Sequence, residues 1–428
     1  MSTALLAAAL QQAATPGLPG AGIARVDAAR AAARAALAQQ SALVDARAEP
    51  WRYTSLRALE AQALPLASAA DDAKVVELPP ALGPRLVFID GHYAPRHSQL
   101  ADLPVGVNFK PLSALRAEDW QVHAALLQFV GGGSDALEPL NLALASAGVL
   151  LDVQPGVVVD APIEVIYFGV FANPCAWHAR SRVLLGEGAR VILLERQLGP
   201  GAGLATLHTE YHVHADARLD LVQMQEAGAA LSLLRTSTLM LAARATLRMH
   251  ALDLGAALTR HALGVRLRGT QARAELRHVV VLDRRQHADL QMDLRHEVGE
   301  TGSDVRCRAV AAARSRAVLQ GAITIAAGAD GSDAALSTHN LLLSDQAEID
   351  ARPVMEIHAD EVRAAHGASV GQLDATMLFY LRARGLPEAE ARALLTAAHC
   401  RAVLDDIVHA DLRTAAMQAL DARIQSLR

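Results

Sequence analysis

Four stretches of the chain align with one another: "GARVILLE" (Gly188 to Glu195), "DARLDLVQ" (Asp216 to Gln223), "RATLRMHA" (Arg244 to Ala251) and "RAELRHVV" (Arg273 to Val280). Their alanines, Ala189, Ala217, Ala245 and Ala274, stand 28, 28 and 29 residues apart, and each is followed two positions later by Val or Leu. After a gap of 43 comes "RAVLQG" at Ala317, and after 30 more "QAEIDARP" at Ala347. From about Leu150 to Pro353 the chain consists of short alternating runs broken by Gly, Asp and Asn, which is strand chemistry. A period near 28 built of strands alone, with a small residue at each turn, predicts a mainly β fold whose coils stack as a β-solenoid. A sandwich or barrel would also supply many short strands but gives no reason for a fixed period.

Helical signals flank this region. The opening "MSTALLAAALQQAA" is apolar but has no basic residue before it and is too short to span a bilayer, so it reads as a helix rather than a signal peptide. From Ile23 to about Arg47, Ile23, Val26, Ala29, Ala33 and Leu37 recur at helical spacing. The helix should end near "AEPWRYTSL" (Ala48 to Leu56), where Pro50 disfavours continuation and Trp51 and Tyr53 suit core packing. Beyond the strands, Asp374 can cap a helix carrying Met377, Leu378 and Leu381, Gly385 supplies its stop, and Pro387 suits the start of another helix running towards Leu404. The stripe Leu412, Ala416, Leu420, Ile424 and Leu427 reads as internal packing, with docking on a partner as the second reading. The resulting division is 1–135 for an N-terminal helical region and linker, 136–368 for the solenoid and 369–428 for a C-terminal helical part.

Composition excludes several function classes. The 428 residues carry 40 basic and 45 acidic side chains, a net of -5, which gives no electrostatic reason to expect nucleic acid or an anionic membrane as partner. Three scattered cysteines, Cys175, Cys307 and Cys400, cannot form a disulfide framework or supply four thiolates to a permanently held cluster, and the cytoplasm is the natural compartment. Only two lysines occur, Lys74 and Lys110, and neither follows a GxxxxG loop, so no Walker A cradle can be written. The glycines of "VGGGSDAL" (Val130 to Leu137) and "GLPGAG" (Gly17 to Gly22) read as loops.

Two histidine groups invite chemistry. In "LHTEYHVHAD", His208, Glu210, His212 and His214 alternate, so a strand would project all four from one face, as the HxH strand of cupin enzymes does when it holds a divalent metal. Arg218 stands where a cupin continues to a glutamate, and a solvated polar stripe is the competing reading. His358 and Asp360 are placed to share a strand face, and His366 follows on a small-residue turn, able to ligate iron, shuttle protons or serve as a structural hydrogen-bonding group.

The segment around that histidine carries a resemblance. "PVMEIHADEVRAAHGASVGQLDATMLFYLRARGL" (Pro353 to Leu386) closely resembles the signature of the SufB/SufD family, the scaffold subunits of the Suf iron-sulfur cluster assembly machinery, which reads roughly P-x-L-E-I-x-A-D-D-V-x-C-S-H-G-A-T-V-G-x-L-D and then F-Y-L-x-S-R-G. "NLALASAGVLLDVQPGVVVDAPIEV" from Asn141, "HADLQMDLRHEVGETGSDVRCRAVAAARSRAVLQGAI" from His287 and "NLLLSDQAEIDARP" from Asn340 fit as well. "EPWRYTSL" at Glu49 is similar to the E-x-W-K-Y-T segment of SufD, so the likeness is to SufD rather than SufB.

The resemblance implies a right-handed parallel β-helix between helical parts, edge-to-edge pairing with SufB, and docking of the SufC ATPase on the C-terminal helices, with Asp374, Phe379, Tyr380 and Arg384 as contact residues. It implies that ATP hydrolysis belongs to SufC, that no cofactor is held permanently, and that a transient iron-sulfur cluster forms at the SufB interface near His366. Pairing of two copies of this chain is the expectation where SufB is absent. The family cysteine falls on Ala364 and the serine after it on Ala365, so the thiolate would come from SufB and His366 would be the ligand offered here. Leu336 replaces a glutamine common among relatives. A metal-dependent enzyme using His208, His212 and His214, and a solenoid interaction module without chemistry, are the competing functions.

Overall fold

The computed structural model describes residues 2–13, 17–69, 76–123, 135–171 and 173–427. Lys74 and positions 130–134 of the "VGGGSDAL" loop lie outside the described residues.

Two sheets form the body of the protein. The first runs β19-β17-β15-β13-β11-β9-β7-β5-β1-β2. Its strands are β1 (Arg85–Ile89), β2 (His92–Tyr93), β5 (Val158–Phe168), β7 (Arg190–Leu198), β9 (Arg218–Gln225), β11 (Thr246–Asp253), β13 (Arg273–Leu282), β15 (Gly302–Ala311), β17 (Asp333–Leu342) and β19 (Arg363–Gly371). The second runs β18-β16-β14-β12-β10-β8-β6-β4-β3. It is built of β3 (Val107–Pro111), β4 (Val149–Val153), β6 (Cys175–Leu185), β8 (Gly203–Val213), β10 (Leu231–Leu241), β12 (Leu258–Leu267), β14 (His287–His296), β16 (Arg316–Ile325) and β18 (Glu348–Ile357). After the antiparallel pairs β1–β2 and β3–β4, successive strands alternate between the sheets, so from β4 onward the chain winds as a parallel β-solenoid with the two sheets as its walls. Three of the strands precede residue 136, and β19 continues to Gly371.

The turn chemistry explains the period. Six consecutive rungs of the first sheet, β7 to β17, are entered through a residue in the left-handed region, namely Gly188, Asp216, Arg244, Gln271, Glu300 and Gly331, with φ of 69, 58, 57, 62, 59 and 73°. The next residue is small and buried: Ala189, Ala217, Ala245, Ala272, Thr301 and Ser332. The strand starts one position later. This corrects the alignment at the fourth repeat, because Leu247 pairs with Ala274 and Thr246 with Arg273, which makes Ala272 the counterpart of Ala245. A shift of two residues preserves alternation, so inward and outward faces look unchanged. Ala317 and Ala347 are a second correction: their strands belong to the other sheet, and Ala317 pairs with Ile349, leaving Ala347 just before its strand.

Alternate side chains from both sheets fill the lumen with Leu, Val, Ile, Ala and Met. The outer faces are covered by helices. On the second sheet lie α1 (Ala4–Gln12), α2 (Ala24–Ala38), α3 (Arg57–Glu60) and α5 (Leu137–Leu144), which share a core with Ala176, Leu204 and Leu234; α4 (Ala117–Val122) adds Trp120 to it. The helix expected to reach Arg47 ends at Ala38. The chain then turns so that Leu43 and Val44 enter this core, and the Leu43 amide is bonded by Glu60. Helix α2 buries Val26, Arg30, Ala33 and Leu37, with the Arg30 guanidinium donating to the Ala145 carbonyl.

On the first sheet lie α7 (Glu388–Arg401) and α8 (Ala410–Gln425). The stripe Leu412, Ala416, Leu420 and Ile424 is buried against Leu194, Val222, Met224, Leu252, Val279 and Val310. It is internal packing, and its platform is the flat sheet face rather than the solenoid end. Helix α6 (Ala375–Ala383) touches α7 but fully buries none of its residues.

Candidate functional site

Among the described residues no element caps the β18–β19 end of the solenoid. Among the described residues β18 pairs with β16 alone and β19 with β17 alone, leaving two parallel edges whose outer N–H and C=O groups have no ladder partner. Every residue of β19 is exposed, and β18 is at most half-buried. Ile349 and Met355 of β18 pack against the end of the lumen core, while Ile357 and Val370 are 45% and 44% exposed. Apolar surface and open edges occur together here, the arrangement from which edge strands are normally protected.

His366 lies within β19, which corrects its expected place on a turn. It pairs with Leu336, and through it continues the inward column Leu221, Met249, Leu276, Val305, Leu336. Leu336 is buried, so this rung is apolar. Ala364, two residues before His366, pairs with Ala334 and shares its inward parity. The small neighbours that suggested a turn instead form a thin strand without bulky side chains around the imidazole.

His358 follows the end of β18, with its amide bonded to the Ile325 carbonyl at 2.9 Å, and Asp360 lies in the next turn. They do not share a strand face, which is a further correction.

Helix α6 begins beside this end. Asp374 caps it through Oδ1, which accepts from the Thr376 and Met377 amides at 2.7 and 2.9 Å. Gly385, at φ 94°, ends the segment in a conformation that other residues rarely adopt. Met377, Phe379 and Tyr380 are 57, 71 and 57% exposed, and Arg384 donates to the Tyr380 hydroxyl at 2.9 Å. The helix thus presents large apolar and aromatic groups that no element among the described residues covers.

The His208 strand is organised differently. His208, Glu210 and His212 do alternate on β8, but His214 falls beyond its end at Val213. The Glu210 carboxylate lies 3.8 Å from His208 Nε2, 3.6 Å from His212 Nε2 and 3.9 Å from Arg180 Nη2. Burial opposes its ionisation, yet the nearby His208 and His212 imidazoles and the Arg180 guanidinium hold it well below the usual carboxylate range. A guanidinium thus occupies the cationic side of this carboxylate. Among the described residues no group of three or more His, Cys, Asp or Glu side chains is arranged to hold a metal.

The thiols are equally unsuited to ligation. Burial pushes Cys307 and Cys400 up to about 12, and burial followed by the nearby Asp90 pushes Cys175 up to about 11. A thiolate is the form that binds metal, and these sites disfavour it. Lys110 pairs with Asp119 at 3.1 Å, and no described helix is long and apolar enough to cross a membrane.

The "EPWRYTSL" segment is a strap across the outer face of the second sheet. Trp51 is buried under the Arg260 guanidinium, 3.7 Å from the ring centroid, while Tyr53 lies 5.4 Å from that of Arg316. Thr54 donates to Asp289, and Glu49 pairs with Arg352 on β18. Core packing describes Trp51 but not the whole strap, whose partners are charged. Its spaced aromatic and hydroxyl groups were a legible signal; the arginines that receive them are more than 200 residues away and were not.

Comparison with known proteins agrees with this architecture. The family model for the SUF system FeS cluster assembly SufBD core domain matches residues 170–399. An iron-sulfur cluster assembly SufBD family protein of Synechocystis is 26% identical over 394 residues, covering 88% of this chain and 86% of the relative. The iron-sulfur cluster assembly protein SufD of Escherichia coli is 27% identical over 357 residues, covering 81% of each. Protein ABCI7, chloroplastic, of Arabidopsis thaliana is 24% identical over 385 residues, covering 85% of this chain and 79% of the relative. With a parallel solenoid, an end that no described element caps and a core-domain match across more than half its length, the chain belongs to the SufB/SufD family of iron-sulfur cluster assembly scaffolds.

Proposed function

We propose that this chain is a SufD-like, non-catalytic scaffold subunit whose β18–β19 end receives a SufB-like solenoid. The observation that carries the reading is the pair of unpaired parallel edges around an apolar lumen end. A homologous solenoid can continue both sheets there, satisfying the free backbone groups and covering Ile357 and Val370. His366 would then stand at the junction, offering a neutral imidazole to iron or a proton, while the thiolate comes from the partner because position 364 is alanine and the three cysteines are protonated in their buried sites. The iron-sulfur cluster is cargo, assembled at the junction and passed on. Where the SufB-like partner is absent, a second copy of this chain can occupy the same edges.

The C-terminal part, residues 369–428, is the docking part for a SufC-like ATPase, with α6 as the contact element and Asp374, Phe379, Tyr380 and Arg384 as its residues. Support comes from the exposure of Phe379 and Tyr380 on a helix that fully buries none of its residues. Residues 136–368 are the scaffold proper, residues 1–135 brace it, and the cytoplasm is the compartment of the complex. ATP hydrolysis by the docked partner would shift the junction if its two nucleotide states bind α6 differently.

Co-expression with SufB-like and SufC-like proteins, followed by light scattering of the purified product, tests the reading. The expected product holds one copy of this chain, one SufB-like chain and two SufC-like chains. A chain that purifies alone under all co-expression conditions would overturn it.

A further inference from the structure

A polar cluster is enclosed in the middle rungs of the lumen. The Tyr211 hydroxyl donates to Glu195 at 2.7 Å, Gln223 donates to Glu195 at 2.8 Å, and Arg235 donates to the Gln223 and Gln197 carbonyls at 3.0 and 2.6 Å. Gln197, Gln225 and Asp253 occupy successive rungs in one column, and Arg235 pairs in register with His261. Asp253 Oδ2 is 2.7 Å from His278 Nε2, and His261 Nε2 is 3.0 Å from the Ser237 hydroxyl.

Five of these side chains share a pattern: one polar atom is tied and another is left over. Gln197 Oε1 accepts from Arg235, and Gln225 Oε1 accepts from the Gly255 amide at 2.7 Å, which fixes both amide orientations and leaves both Nε2 donors unpartnered. Arg235 Nε, Asp253 Oδ1 and His261 Nδ1 likewise have no partner among the described residues. All five residues are at most 3% exposed. Orphaned polar groups are rare in folded interiors, and five on adjacent rungs require a common explanation.

We infer that this section of the lumen binds a small cluster of ordered water molecules, held by Gln197, Gln225, Arg235, Asp253 and His261. Water accepts from the amide and guanidinium donors and donates to the carboxylate and the imidazole, a combination no simple ion provides. An anion would face the Asp253 and Glu195 carboxylates, and a cation would face the Arg235 guanidinium. Further along the column, Val280 and Ala309 close the cluster off from the open end, so the water is internal rather than an inlet from the partner surface. The inference is independent of the scaffold role.

X-ray hydroxyl-radical footprinting of the intact chain tests it, because radicals generated from bound water label neighbouring side chains even when these are inaccessible from outside. His296 is the matched control with no ring nitrogen left over: it is 0% exposed, with Nδ1 and Nε2 engaged by Thr301 and Ser303 at 2.7 and 2.9 Å. Oxidation of His261 at least several-fold faster than that of His296 is the expected result. Equal rates at the two histidines would overturn the inference.

Discussion

His366 stands in register with Leu336, one rung beyond the last buried position of a column that runs inside the solenoid. The imidazole therefore ends an apolar file and meets whatever covers the end of the protein. Because β19 is exposed throughout, His366→Ala should change the stability of the isolated chain by no more than about 0.5 kcal/mol. It should leave the partner complex intact while lowering cluster formation. Reconstitution followed by the visible absorbance of the cluster reads this; assembly at the wild-type rate would remove His366 from the site.

The Asp374 carboxylate accepts two amide hydrogens at the start of α6, so Asp374→Ala should destabilise that helix by about 1 kcal/mol. Since α6 fully buries none of its residues against the rest of the chain, the loss should appear as local fraying rather than global unfolding. Phe379→Ala should leave the fold unchanged and weaken docking of the SufC-like partner at least tenfold, measured by titration calorimetry. Unchanged affinity would move the docking site off this helix.

The α7–α8 pair is anchored by Asp406, which lies 2.7 Å from His250 Nε2 and 3.2 Å from Arg277 Nε. Burial opposes ionisation of Asp406, but the hydrogen bond and charge of His250, together with Arg277, outweigh it and hold the pKa at about 2. A depressed carboxylate contributes stability that is present above its unfolded pKa near 3.8 and lost as pH falls towards about 2. The C-terminal pair should accordingly loosen across that window in the wild type. Asp406→Asn should already show part of the loosening at neutral pH, read by amide exchange in α8.

Trp51 joins the strap to the second sheet by stacking under Arg260. Trp51→Ala should cost about 3–5 kcal/mol, with Trp51→Phe recovering most of it, in denaturant unfolding followed by circular dichroism. A cost below about 1 kcal/mol would mean that the strap is an ornament on the sheet.

The solenoid was legible because its turns repeat: a residue in the left-handed region, then a small one, then the strand. The exact register was less so. Placing Ala274 rather than Ala272 opposite Ala245 shifts by two, and alternation with period two cannot detect that shift; the left-handed Gln271 does. His366 was found through its sequence context, yet Ala364, Ala365 and Gly367 disguised a strand as a turn, since a terminal edge strand lacks the β-branched residues of a central one. His214 failed to join His208 because strand length is set by the ladder with β6 and β10, not by local pattern. The lumen cluster of Glu195, Arg235 and Asp253 was hidden because its members come from strands that face each other only after winding.

The central claim is that a partner solenoid continues the sheets at β18 and β19, and the most direct measurement is amide hydrogen exchange on the isolated chain and on its complex with a SufB-like protein. Exchange-competent amides along Glu348–Ile357 and Arg363–Gly371 should become protected in the complex, with the opposite end of the solenoid at β2 and β3 unchanged. Protection elsewhere, with both edges exchanging as freely as before, would contradict the account.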